Sequence, residues 1–74
     1  MYLIVLENDN NISRAMAFKP DKMPDGDTST VFGYGTNPDS ALRRLFSDYP
    51  EVTDYRMISR RQYEELWDAW YEDL

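Results

Sequence analysis

Residues 29–58, STVFGYGTNPDSALRRLFSDYPEVTDYRMI, hold a strand, a helix and a second strand, each with its own start and stop signals. Thr30, Phe32 and Tyr34 alternate with Val31, which is strand patterning. Gly33 and Gly35 flank Tyr34 and let the strand bend or admit another backbone at close range. Asn37 is a favoured N-cap, and Pro38 suits the first helical position, where its missing N–H costs nothing. Asp39 falls at the positive end of the helix. Ala41, Leu42, Leu45, Phe46 and Tyr49 recur at helical spacing as one apolar stripe, with Arg43, Arg44 and Asp48 on the other side. Pro50 ends the helix, because the residue before a proline is pushed out of helical geometry. Residues 52–58 then read as strand, with Val52, Asp54, Arg56 and Ile58 on one face and Thr53, Tyr55 and Met57 on the other. Such mixed faces mark a strand at a sheet edge.

Upstream, residues 2–6 (YLIVL) form an unbroken apolar run, which suits a central strand covered on both faces. Residues 7–11 (ENDNN) read as a turn, since Asn and Asp tolerate left-handed backbone. In residues 12–18, Arg14, Met16 and Phe18 face one way and Ser13, Ala15 and Ala17 the other, completing a β-hairpin. Residues 19–28 form a loop in which Asp21, Asp25 and Asp27 bracket Gly26. Their spacing does not match a calcium-binding loop, and an acidic turn is the expectation.

Downstream, residues 59–74 (SRRQYEELWDAWYEDL) read as a second helix. Ser59 and Gln62 have capping-box spacing, and Ile58 and Tyr63 fall at the positions of a hydrophobic staple. Tyr63, Leu66, Trp67, Trp70, Tyr71 and Leu74 form the apolar stripe. The charges run against the helix dipole: Arg60 and Arg61 sit at the start, and Glu72 and Asp73 near the finish. Arg60–Glu64 and Arg61–Glu65 are expected as i,i+4 pairs. No basic residue follows Arg61, so the later acids have no cationic neighbour in sequence.

The element order is therefore β-β-β-α-β-α. The simplest architecture is one α+β domain spanning residues 1–74, a small, largely antiparallel sheet of three or four strands with both helices on one face. Such a short chain buries only about 60% of its unfolded surface, and without cysteine it has no disulfide or thiolate–metal staple.

Composition narrows the chemistry further. There is no histidine, which removes the commonest general base and the commonest metal ligand. No serine sits in a Gly-x-Ser-x-Gly turn, and Gly33-Tyr34-Gly35 lacks the lysine and further glycine of a phosphate loop. The expectation is a non-enzymatic protein with no cofactor and no metal. A net charge of −6 disfavours direct nucleic-acid binding but favours basic protein surfaces. The dipeptides Arg43-Arg44 and Arg60-Arg61 read as solvated faces with local ion pairs. With no secretory leader and no apolar run near the ~20 residues of a membrane span, cytoplasmic location is expected.

Two stretches, Phe18-Lys19-Pro20-Asp21 and Gly35-Thr36-Asn37-Pro38-Asp39-Ser40-Ala41-Leu42, resemble the N-terminal domain of the HicB antitoxin family. That resemblance implies a partial RNase H-like fold, ordered β-β-β-α-β, in a protein that neutralises an RNA-acting toxin by contact. It carries over no catalytic residue.

The leading expectation is an inhibitor that docks an acidic helix on a basic, nucleic-acid-handling protein or nucleoprotein, as phage anti-CRISPR proteins and DNA mimics do. Glu64, Glu65, Asp68, Glu72 and Asp73 would steer it, with Trp67 or Trp70 as apolar anchor. A structural homodimer, joined through an edge strand and the aromatic helix, is a second class. A small enzyme using carboxylates alone is a third.

Overall fold

The computed structural model describes residues 1–20 and 30–72, without the side chains of Trp70 and Tyr71. Its elements are β1 (Tyr2–Asp9), β2 (Ile12–Phe18), β3 (Val31–Gly35), α1 (Pro38–Asp48), β4 (Tyr55–Ile58) and α2 (Arg60–Glu72). The α+β class and the order β-β-β-α-β-α agree with the sequence expectation. The four strands form one sheet in the order β3-β2-β1-β4. β1 is interior, as its unbroken apolar run requires, and β4 lies at an edge.

The sheet is largely antiparallel, as expected, but mixed, because one of its three strand pairs is parallel. β1 pairs antiparallel with β2, β2 pairs antiparallel with β3, and β1 pairs parallel with β4. β3 and β4 therefore run parallel to each other at opposite edges. Joining them requires a crossover of a dozen or more residues, which α1 and its flanking turns supply.

The helices lie on opposite faces, which corrects the expectation of both on one. Ile4, Ala15 and Ala17 cluster with Ala41, Leu45 and Val52 beneath α1. Leu3, Val5, Met16 and Phe18 cluster with Ile58, Tyr63 and Leu66 beneath α2. These residues alternate along β1 and β2, and successive strand side chains point to opposite faces. Both faces of the central strands are apolar, and a helix only about 10–12 Å across cannot cover both.

Local detail explains the placement of α1. Asn37 caps it through a reciprocal box with Ser40, the Ser40 N–H donating to Asn37 Oδ1 at 2.9 Å. A Cβ on Gly33 would lie 2.5 Å from the Ala41 carbonyl oxygen and 2.6 Å from the Leu45 nitrogen. The helix thus seats backbone to backbone on β3, the close approach that the glycine-flanked strand anticipates.

The first hairpin is tighter than expected. β1 continues through Glu7, Asn8 and Asp9, and only Asn10 and Asn11 turn, Asn10 with φ 54°. Buried Ser13 donates its hydroxyl to Asn8 Oδ1 at 2.5 Å. β4 starts three residues later than expected, and Val52 is buried in the α1 cluster ahead of it.

Candidate functional site

The candidate site is α2, and its start is held by the signals visible in sequence. The Ser59 N–H donates to Gln62 Oε1 at 2.9 Å, and the Gln62 N–H donates to Ser59 Oγ at 3.1 Å. Ile58 and Tyr63, at the two staple positions, both pack on the same apolar cluster. The Tyr63 ring meets Phe18 edge-on at 5.6 Å and Trp67 at 6.2 Å. These contacts orient the helix so that Arg61, Glu65, Asp68 and Glu72, spaced four, three and four apart, form one exposed crest.

A charge network fixes the first turn. Glu7 of β1 accepts from both Arg14 and Arg60, and Arg60 also pairs with Glu64 at 3.3 Å. Arg14 lies 5.3 Å from the Phe32 ring centroid, adding a cation–π contact. Sequence reasoning missed Glu7, because its surroundings read as a turn. Its partner Arg60 is 53 positions away, and no local signal connects them.

The predicted acidic residues divide into groups. Glu64 and Glu65 pair with Arg60 and Arg61, the second pair at 3.6 Å with its side chains 89% and 67% exposed. Exposed i,i+4 pairs contribute only about 0.3–0.5 kcal/mol, so these carboxylates stay available to an outside cation. Asp68 and Glu72 are exposed and have no ion-pair partner among the described residues. No basic residue stands in the last turn of α2, so the negative helix end adds to their field. Trp67 is half-buried against Tyr63. Asp73, the side chain of Trp70, and the loop aspartates Asp21, Asp25 and Asp27 lie outside the described residues.

A cleft of about 540 Å³ opens beside α2, lined by Glu7, Arg14, Arg60, Tyr63, Glu64 and Trp67. Two carboxylates there offset two guanidiniums, so the cleft selects neither phosphate nor a free cation. Among the described residues no three acidic groups converge to hold a metal ion.

No protein-family model, curated protein or solved structure matches this chain. Among the described residues no helix is long and apolar enough to cross a membrane.

Proposed function

We propose that this protein is a non-enzymatic inhibitor that docks the acidic crest of α2 on the positively charged nucleic-acid site of a cytoplasmic partner, in the manner of a phage anti-CRISPR protein or DNA mimic. The observation that carries this reading is the pair Asp68 and Glu72, exposed and without an internal cation on a firmly seated helix. Glu65 extends the same row, and Glu64 flanks it. Asp73 lies just beyond in sequence. Carboxylates spaced along a rigid helix stand in for backbone phosphates. Complementary charge of this kind raises association rate and selects partners more than it adds affinity. Trp67 beside the row supplies an apolar anchor of the type enriched at binding hot spots.

The antitoxin alternative draws support from the first five elements, which run β-β-β-α-β. It names an RNA-acting toxin as partner and assigns the same acidic crest to it.

Competition separates these readings. The protein is titrated into a guide-loaded CRISPR effector bound to labelled DNA, and separately into a HicA-type toxin with labelled RNA. Displacement of DNA, lost on Asp68→Asn with Glu72→Gln, supports the anti-defence reading. Displacement of RNA alone supports the antitoxin. If the doubly neutralised variant competes as well as the native chain, the crest is not the docking surface.

A further inference from the structure

The outer edge of β4 has no strand partner among the described residues. Natural edges are shielded by charge, proline or bulges. This one carries exposed apolar side chains toward the α1 face, Tyr55 at 43% and Met57 at 42%, and Arg56 as its only charge. Toward the α2 face a groove of about 320 Å³ runs beside it, lined by Leu3, Arg56, Ile58, Gln62, Glu65 and Leu66. Arg56 has no ion-pair partner among the described residues, and Glu65 holds only its loose pair with Arg61.

We infer that the β4 edge joins a second copy of this chain in an antiparallel pair centred on Met57, with Arg56 of each copy reaching Glu65 of the other. Two sheets joined edge to edge are related by a two-fold axis normal to the sheet. Each face then continues into the same face of the second copy. Side chains alternate along a strand, and directly opposed residues share a face, so opposed positions must have the same parity. Within Tyr55–Ile58 this leaves two central registers, with either Arg56 or Met57 on the axis. Arg56 on the axis would set two guanidiniums directly opposite, which destabilises a strand pair.

Met57 on the axis opposes Met57 to itself and Arg56 to Ile58 of the second copy. Ile58 lines the groove that Glu65 also lines, so each guanidinium enters a groove holding a carboxylate. A second copy fits better than an arbitrary strand because the chain carries both halves of this complement. The product is a continuous eight-stranded sheet with β3 at each end. Glu65 is the one crest residue drawn into this contact, while Asp68 and Glu72 stay outside the strand pairing. The oligomeric state is read without any partner, so the assembly is tested separately from the proposed function.

Absence of native cysteine makes the test direct. Full-length Met57→Cys and Tyr55→Cys are oxidised mildly, with circular dichroism checking the fold of each. Opposed residues bring their Cβ atoms within about 4.5–5.5 Å, so Met57→Cys is expected to give a covalent dimer. Tyr55, opposed to Ser59 of the second copy, is not. Sedimentation velocity on the unmodified chain is expected to show a concentration-dependent dimer. Arg56→Glu is expected to weaken it by about tenfold, and adding Glu65→Arg to restore it. A monomer at every concentration, equal cross-linking by Tyr55→Cys, or no effect of Arg56→Glu would overturn the inference.

Discussion

A methyl group on Gly33 would meet three atoms of α1 at once: the Ala41 carbonyl oxygen at 2.5 Å, the Leu45 nitrogen at 2.6 Å and Leu45 Cβ at 2.7 Å. Two of the three are backbone atoms, so the clash cannot be relieved by turning a side chain. Gly33→Ala is expected to lower unfolding free energy by about 1–3 kcal/mol, read by urea denaturation, because α1 must lift from β3. Native-like stability for this variant would mean the helix does not sit so close. At this scale the sequence announced a close approach through glycines around an exposed tyrosine, but not which backbone approached. Glu7 was not legible at all. Its chemical meaning comes from Arg14 and Arg60, and the fold, not local spacing, brings those together.

For whole elements, both helix starts were legible because capping is local chemistry. Asn37, Pro38, Ser59 and Gln62 signal within four residues of one another at each start, and each cap forms as its spacing requires. Ser59→Ala removes the acceptor for the Gln62 N–H and is expected to cost about 1 kcal/mol, measured by thermal or urea unfolding. A change below a few tenths would show that the staple and the Glu7–Arg60 pair hold the helix start without the cap. The direction of β4 and the placement of the helices were harder to read. Alternation tells which residues share a face, not which helix covers it. One signal was available: β3 and β4 are separated by a full helix, the usual mark of a parallel crossover. A second was the apolar character of both faces of β2, with small Ala15 and Ala17 toward α1 and larger Met16 and Phe18 toward α2.

Over the whole molecule, a net charge of −6 repels nucleic acid and favours basic partners. The structure makes that charge local. Internal pairs absorb Arg60 and Arg61 at one end of α2, leaving Asp68 and Glu72 toward the other. The helix, the Tyr63, Leu66 and Trp67 part of its stripe and the Arg60–Glu64 and Arg61–Glu65 pairs were legible in sequence because all follow from helical spacing, whereas the side chains of Trp70 and Tyr71, and Leu74, lie outside the described residues. The third attachment, through Glu7, was not, and it anchors the basic end of α2 to β1 so that the acidic end projects from a fixed seat. The decisive measurement is the association rate with whichever nucleic-acid-handling effector the competition experiment yields. It is followed across salt concentration for the native chain and for Asp68→Asn with Glu72→Gln. Native association is expected to slow steeply with salt. The neutralised variant is expected to associate about tenfold more slowly at low salt, with a shallower salt dependence and a nearly unchanged dissociation rate. Equal association rates for the two proteins at low salt would contradict the docking role of the crest.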